Sequence, residues 1–464
     1  MTDIEKLLST IVDNGYSFGT GSWSVINEYI KMEFNEYGEY VPTLAKSPEL
    51  FTEEEIKLLK SVTLQLSNKD ESSIGKELFA DIPNIKHNQY IGYFLNLYVG
   101  HVVEGNFRDN GSSGGFGTWI LKELFENGYI DGVIHVTSTN KNEKLFEYTL
   151  AKTKEDIIKG AKTKYYPVEF SEVLKLVKKN PGKYAIIGLP SYIMSLRLLS
   201  EVEPVLKERI VYTIGLVCGH QKSTKFAEYL AWQCGIKPGK LEEINFRKKL
   251  DYLPSDSYGI EVYGEIGGEK KRVTKEMREL SGGNWGIGMF KVNASDFTDD
   301  VMNETADLTL GDAWLKEYTK DSDGNNILIV RNPTIQKILD DALKKNAIKL
   351  DQVDEKTIYQ SQAAHFKHSQ DELAYRLYKK VQNNEWVPKK RINPHKDIEF
   401  LRRKVQDCRI KITKMAPIYY KEAVQRDDIA YFNLKMKPLI SRYSNVYRMI
   451  KVKNKLHKLL KGKK

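Results

Sequence analysis

The chain has 464 residues, a hydrophobic fraction of 41% and a formal net charge of +10, which suit a soluble globular protein of two or three domains. Its apolar runs are half or less of the roughly 20 residues that span a bilayer, and its first residues do not resemble a secretory signal, so we expect a cytoplasmic protein. Three widely spaced cysteines, Cys218, Cys234 and Cys408, argue against a disulfide framework and against a local metal site.

Residues 1–95 form the first predicted domain. Helical periodicity occupies residues 4–12 and 53–66, on either side of a loop-rich segment that contains several glycines. The pattern is typical of a small leading domain.

A turn rich in glycine and hydroxyl groups, residues 110–118, leads directly into an apolar helical stretch. Backbone N–H groups at such a helix start lie at the positive end of the helix dipole, where a phosphate can bind. The candidate cofactor-binding residues of this loop are Asn110, Gly111, Ser112, Ser113, Gly114, Gly115 and Thr118. The spacing matches neither the dinucleotide fingerprint nor the P-loop, so a glycine turn that caps an ordinary helix is the alternative.

Residues 96–385 alternate strand-like and helix-like segments, which predicts an α/β domain whose sheet is flanked by helices. Buried-strand runs cover residues 130–136, 184–190 and 210–218, and Ser223 is placed to cap the helix that follows the last of them. A hairpin is predicted over residues 260–274 with its turn at the paired glycines 267 and 268, so we expect a mixed sheet.

Three polar residues at the ends of predicted strands are candidates for catalysis. Cys218 and His220 lie at the end of the 210–218 strand, where ligand sites gather in doubly wound sheets. An imidazole with its ordinary pKa of about 6.5 can exchange protons near neutrality. The alternatives are a cysteine that packs as a small hydrophobe and a histidine that bonds a nearby backbone. Asp312 ends another strand and is either a base or a helix cap.

Residues 386–464 begin with a proline-containing segment, 386–394, that reads as a linker, and continue as a basic helical tail. From Lys451 onward the tail contains no acidic residue. Basic amphipathic helices bind anionic membrane surfaces, so peripheral contact with the inner face of a membrane is one expectation. A helix packed on its own protein is the other, and no specific nucleic-acid motif is present.

These segments resemble the coenzyme F420 hydrogenase/dehydrogenase beta-subunit family over about residues 10–375. The matching motifs are Ser112-Ser-Gly-Gly115, Gly160-Ala-Lys-Thr-Lys-Tyr165, Gly188-Leu-Pro190, Gly215-Leu-Val-Cys-Gly-His220 and Ala306-Asp-Leu-Thr-Leu-Gly-Asp312. The resemblance implies FAD as cofactor and adds Lys162, Lys164 and Tyr165 to the cofactor-binding residues. Trp285, which lies between glycines, would stack on a flavin or a sugar, or pack in the core.

The iron–sulfur ligands that the resemblance leads us to expect are replaced in this sequence. The positions of the family cysteines read Ser17, Thr20, Trp23, Thr63, Ser191, Ser295 and Thr298. Hydroxyl groups stay protonated near neutral pH and bind iron poorly, and an indole does not ligate it. We therefore expect a degenerate ferredoxin-like leading segment, no iron–sulfur cluster, and a diffusible hydride donor in place of one-electron transfer.

The resemblance is to the branch of the family found beside polysaccharide enzymes. It implies a cluster-free FAD-dependent oxidoreductase that acts on a nucleotide- or lipid-linked sugar in bacterial capsule or exopolysaccharide biosynthesis, with His220, Asp312 and Cys218 as catalytic residues. The alternatives are a non-redox transferase-like or scaffolding protein of the same pathway and a subunit that stabilises a cluster-bearing partner. A homo-oligomer and a complex with polysaccharide enzymes both stay open.

Overall fold

The computed structural model describes residues 1–139 and 144–461. The strands are β1 (Ile30–Phe34), β2 (Tyr40–Leu44), β3 (Lys86–Asn88), β4 (Gly92–Phe94), β5 (Asn96–Val102), β6 (Gly132–Ser138), β7 (Phe146–Ala151), β8 (Tyr184–Gly188), β9 (Ile210–Leu216), β10 (Leu241–Lys248), β11 (Gly259–Ile266), β12 (Glu269–Glu276), β13 (Leu308–Asp312), β14 (Asn326–Val330) and β15 (Ile348–Gln352). The α-helices are α1 (Asp3–Leu8), α2 (Ser22–Ile26), α3 (Glu53–Ser61), α4 (Glu71–Phe79), α5 (Phe107–Asn110), α6 (Phe116–Glu126), α7 (Lys154–Lys159), α8 (Ser171–Lys179), α9 (Pro190–Val202), α10 (Pro204–Arg209), α11 (Thr224–Gln233), α12 (Lys316–Thr319), α13 (Pro333–Lys344), α14 (Glu355–Ser361), α15 (Ala363–Ser369), α16 (Asp371–Gln382), α17 (Phe400–Gln425) and α18 (Ile429–Lys461).

The predicted mixed α/β fold is confirmed. In the described residues an eight-stranded sheet runs in the order β15-β5-β14-β13-β9-β8-β6-β7, and the strands from β13 to β6 in that order are parallel to one another. The hairpin β11–β12 turns at Gly267 and Gly268, which both have positive φ, as predicted. It joins β10 in a separate antiparallel sheet, so the inference from the hairpin to a mixed main sheet was wrong. The main sheet is mixed because β5, β7, β14 and β15 are antiparallel to their neighbours.

The parallel strands are apolar on both faces because helices cover both. Val133 and Ala185 belong to the core that contains α6 and α13 residues, whereas the next residues along each strand, Ile134 and Ile186, belong to the core beneath α8 and α9. Strands that are buried on both faces appear in a sequence as continuous apolar runs, and the sequence therefore predicted them.

The tail is a helical hairpin, α17 and α18, whose buried side chains complete the larger core. The segment before it, residues 386–394, has no helix or strand and connects α16 to α17, and it packs against the rest of the chain. Tyr16 donates a hydrogen bond to the Trp386 carbonyl at 2.8 Å, and Arg391 forms an ion pair with Glu304 at 2.8 Å. Among the helices of residues 1–139 and 144–461, none has the length and apolarity to cross a bilayer.

Candidate functional site

A cavity of about 890 Å³ lies at the carboxyl ends of the parallel strands β6, β8, β9 and β13. Ligand sites of open α/β sheets gather at this edge. The predicted site residues that line it are Gly111, Ser112, Ser113, Gly115, Thr118, Lys162, Lys164, Tyr165, Cys218, His220, Trp285 and Asp312. Asn110, in α5, and Gly114 are not among its lining residues.

The glycine-rich loop is shaped by its packing as well as by its position at the cavity. Gly115 precedes α6 with φ of 89°, a conformation that favours glycine. A Cβ atom on Gly114 would lie 2.7 Å from the Gly100 carbonyl oxygen, so this glycine allows the loop to approach β5. The Ser113 hydroxyl donates to the Asn325 carbonyl at 2.9 Å and is therefore occupied within the protein.

The loop at 160–165 is tied to the glycine-rich loop and brings cations to the cavity. The Thr163 N–H donates to the Ser112 hydroxyl oxygen at 2.8 Å, which joins the two loops and leaves the Ser112 hydrogen available to a ligand. Lys162 adopts a left-handed conformation with φ of 74° and is exposed at the cavity. Lys164 Nζ donates to the carbonyls of Gly160 and Ala161 at 2.5 and 2.6 Å. Burial and the charge of Lys162 lower the pKa of Lys164 to about 7.

An aromatic wall, composed of Trp285, His220 and Tyr165, closes one side of the cavity. The His220 imidazole stacks on the Trp285 indole with centroids 4.5 Å apart, and the Tyr165 ring lies 4.5 Å from the same indole. Arg409 of α17 donates to the Gly286 carbonyl at 2.7 Å, and Ile440 of α18 lines the cavity. The tail therefore fixes the loop that carries Trp285.

The ionisation of His220 and Cys218 differs from what their sequence positions indicated. Burial lowers the pKa of His220 well below its ordinary value, and the charges of Lys222 and Lys291 lower it further. The lowered pKa favours the neutral imidazole, whose buried Nε2 has no partner among the described residues, and proton exchange by His220 stays a prediction. Burial raises the pKa of the Cys218 thiol to about 12, which favours the protonated thiol over the thiolate nucleophile.

Asp312 is held at the cavity by an arginine that the sequence did not indicate. Arg247, on β10, donates to the Asp312 carboxylate at 2.6 Å, and its guanidinium lies over the rings of Tyr258 and Trp314. Gln362 donates to the Asp312 backbone carbonyl at 2.6 Å. Asp312 is thus a paired carboxylate at the end of β13, and the helix-cap alternative does not describe it.

Sequence reasoning also missed two basic residues at the cavity. His135 lies beneath the 160–165 loop, and burial lowers its pKa to about 4. Lys222 is buried with Nζ 2.7 Å from the Met289 carbonyl and 4.5 Å from the Trp285 ring. No periodicity or motif marks them, although Lys222 follows His220 by two residues and shares its strand end.

The four positions at which the family's first-cluster cysteines are replaced lie close together. They form a packed, hydrogen-bonded site. Ser17, Thr20, Trp23 and Thr63 line a small cavity of about 50 Å³. The buried Trp23 indole N–H donates to the Thr63 hydroxyl at 2.9 Å. An indole and a hydroxyl thus pair where the resemblance led us to expect thiolates.

The second set of positions also has protein partners. The Ser295 hydroxyl accepts from the Gln221 N–H at 3.0 Å, and the adjacent buried Asp296 forms an ion pair with Lys291. Cys234 and Cys408 are buried free cysteines. Within residues 1–139 and 144–461, no group of three or more His, Cys, Asp or Glu side chains is arranged to hold a metal ion.

Comparisons with known proteins identify one family over more than half of the chain, the beta subunit of coenzyme F420 hydrogenase/dehydrogenase. Residues 97–175 match the N-terminal part of this family, and residues 182–356 match its C-terminal part. The residues before 97 and the basic tail lie outside both matches.

Similar individual proteins come from methanogenic archaea. The chain is 25% identical over 291 residues to a coenzyme F420-dependent sulfite reductase of Methanocaldococcus jannaschii, covering 60% of this chain but 40% of the reductase. It is 27% identical over 243 residues to an uncharacterized protein of the same archaeon, covering 51% of this chain and 80% of that protein. Among solved structures, a chain of the F420-reducing NiFe hydrogenase complex from Methanosarcina barkeri has a TM-score of 0.49 and 16% identity, covering 65% of this chain and 98% of that one.

Proposed function

Because the chain belongs to the coenzyme F420 hydrogenase/dehydrogenase beta-subunit family, we propose that it is an oxidoreductase that binds FAD in the 890 Å³ cavity and works without an iron–sulfur cluster. The observation that supports this most is the gathering of the glycine-rich loop, two lysines and an aromatic wall around one cavity. The cluster-free part of the proposal rests on the three scattered cysteines of the sequence.

The lining residues fit the two chemically different ends of FAD. Lys162 and Lys164, beside the start of α6, offer positive charge and backbone N–H groups to phosphates, and no carboxylate pairs with either lysine among the described residues. The aromatic wall offers flat apolar surface to a ring system, and its His220 Nε2 lacks a hydrogen-bond partner within the described chain. FAD, when bound, supplies two-electron hydride chemistry.

We propose His220 and Asp312 as the catalytic residues, and the fold determines the contacts that each makes. His220 is neutral and is placed to accept or donate one hydrogen bond at Nε2. Asp312 is held by Arg247 and is placed to orient a hydroxyl group of the substrate or to accept its proton. We assign Cys218 to the cavity wall, because its thiol stays protonated.

We propose the electron donor from the missing cluster ligands and the substrate from the resemblance to the polysaccharide branch of the family. Without a chain of clusters, electrons reach this site with a diffusible hydride carrier, and a reduced deazaflavin is the first to test because a relative is named coenzyme F420-dependent. For the substrate we propose a nucleotide- or lipid-linked sugar of bacterial surface-polysaccharide synthesis. A keto or unsaturated sugar would gain the hydride at carbon and a proton from solvent water.

The absorption spectrum and the iron content of the purified protein test this proposal. We expect bound FAD with an absorption band near about 450 nm, and neither iron nor acid-labile sulfide in stoichiometric amount. The double substitution Lys162→Ala with Lys164→Ala should lower the flavin content, whereas Lys57→Ala with Lys60→Ala, two exposed lysines of α3, should not.

Three results would contradict parts of this function. A colourless protein that added FAD does not stabilise would favour the non-redox transferase-like or scaffolding alternative. Stoichiometric iron with sulfide would overturn the cluster-free part. Constant co-purification with a cluster-bearing protein, without flavin, would favour the supporting-subunit alternative.

A further inference from the structure

Helix α18 changes its surroundings along its length. Its first half is packed into the larger core, where Phe432, Met436 and Tyr443 are buried. From Lys451 to Leu460 every residue is exposed. The helix therefore continues for about three turns beyond the body that supports it.

This exposed part of α18 carries an apolar stripe. Met449, Val452, Leu456, Leu459 and Leu460, which we call the terminal stripe, are each 56–70% exposed. Their spacing places them along one side of a helix. Val452 follows the buried Tyr443 by nine residues, about two and a half turns, so the stripe points away from the side of α18 that packs on the core. A contiguous apolar face of this kind marks a surface that a partner covers.

The charge around the terminal stripe restricts what that partner can be. No Asp or Glu follows Asp428, whereas eleven Lys and Arg residues do. Lys451, Lys453, Lys455 and Lys458 flank the stripe, and Lys453 forms an ion pair with Glu399 at 2.8 Å. A second copy of this helix would be repelled, and an anionic surface would be attracted.

We propose that the terminal stripe and its flanking lysines bind an anionic lipid surface. The aliphatic side chains enter the boundary between headgroups and acyl chains, and the lysines contact the acidic headgroups on either side. A nucleic acid would use the lysines but leave the leucines exposed to water, and the leucines therefore favour the lipid surface. Because the first half of α18 lines the cavity at Ile440, binding would hold the cavity at a fixed distance from the membrane.

Co-sedimentation of the full-length protein with lipid vesicles tests this inference without any flavin assay. We expect binding to phosphatidylcholine vesicles that contain phosphatidylglycerol, weaker binding at high salt, and little binding to phosphatidylcholine alone. Leu456→Glu with Leu459→Glu should lower the partition coefficient by about tenfold or more. The matched control is Leu50→Glu with Leu176→Glu, two exposed leucines on other elements, which should bind as the unmodified protein does.

The outcomes separate the possible partners. Absence of binding to the anionic vesicles, or equal loss in both double variants, would overturn the inference. Binding to duplex DNA that survives Leu456→Glu with Leu459→Glu, in a protein that ignores vesicles, would overturn it in favour of nucleic acid. Melting temperatures of both variants equal to that of the unmodified protein would show that lost binding does not come from unfolding.

Discussion

Lys164 is the residue at the cavity whose charge changes closest to neutral pH. Burial and Lys162 lower its pKa to about 7, so it is largely protonated at pH 6 and largely neutral at pH 8. The phosphates of FAD stay ionised throughout, and we expect FAD affinity to fall as the pH rises across this window, by at most about tenfold per pH unit. Fluorescence titration with FAD at several pH values measures this.

The control for Lys164 is a substitution that removes the titrating group. Lys164→Met should bind FAD more weakly at pH 6 and show a flatter pH dependence than the unmodified protein. A dependence of the same slope in Lys164→Met would assign the effect to another group and contradict the proposed phosphate contact.

Lys222 provides a prediction on stability. Burial and then Lys291 lower the pKa of Lys222 well below 10.5, and no carboxylate pairs with it among the described residues. Protonation of Lys222 therefore favours the unfolded chain. The resulting loss of folding stability is absent above pH 10.5 and grows as the pH falls below that value. We expect Lys222→Met to raise the free energy of unfolding at pH 7 by about 1–2 kcal/mol, and by less at pH 10.5. Denaturant unfolding at both pH values measures this difference.

Lys291 is the matched control for Lys222. It is also buried, but it pairs with Asp296. Lys291→Met should therefore destabilise the fold, because it leaves a buried carboxylate with fewer partners. A loss of stability in Lys222→Met as large as in Lys291→Met would contradict the view that Lys222 is an uncompensated cation.

The residues that the sequence predicted at the cavity share one property, which is proximity to a strand end or a helix start. Ser112, His220 and Asp312 are of this kind, and the structure brings them to one cavity. Arg247 could not be found in this way, because it reaches the cavity from a different sheet. The lowered pKa of His220 could not be predicted from the sequence either, because burial and neighbouring lysines cause it.

At the scale of elements, the approach of the glycine-rich loop to β5 gives a steric test. A Cβ on Gly114 would lie 2.7 Å from the Gly100 carbonyl oxygen and 2.8 Å from Asn326 Oδ1. We expect Gly114→Ala to lower the free energy of unfolding by about 2 kcal/mol, because the Gly100 backbone and the half-buried Asn326 amide must shift. Urea unfolding followed by circular dichroism measures the change.

A second glycine in the same segment isolates the steric cause. At Gly117, inside α6, the nearest atom to an added Cβ is 3.7 Å away. Gly117→Ala should leave stability unchanged or raise it by about 0.5 kcal/mol, because alanine is the better helix former. Equal losses at both positions would show that the close approach to β5 is not the cause.

Elements with strong local signals were predicted, and those defined by pairing partners were not. The apolar runs of β8 and β9 and the glycine turn between β11 and β12 carry such signals. The positions of β5 and β14 side by side in the main sheet do not, since pairing between strands so far apart in sequence leaves no local pattern. Ser223 is the first residue before α11, as predicted, but its side chain makes no capping hydrogen bond.

At the scale of the whole molecule, the tail is packed on the core up to about residue 450 and exposed from residue 451 to residue 460. Val405, Ile412, Phe432 and Met436 are buried in the larger core, and the Phe432 ring stacks on Phe290 with centroids 5.6 Å apart. Residues 451–460 are exposed. The tail lies outside the family match, which ends at residue 356, and its buried side chains belong to the larger core.

Two truncations test this division of the tail. A chain that ends at Glu399 loses both tail helices and exposes the core beneath them, and we expect it to aggregate or to unfold without a cooperative transition. A chain that ends at Ile450 loses the exposed residues 451–460 with those that follow them, and one surface ion pair, Lys453 with Glu399, which contributes about 1 kcal/mol or less. It should melt within about 2–3 °C of the full chain in differential scanning calorimetry.

The chain that ends at Ile450 should no longer bind anionic vesicles, because most of the terminal stripe is gone. A large fall in its melting temperature would show that residues after 450 stabilise the fold and would remove the distinction between a structural and a membrane-binding part of α18.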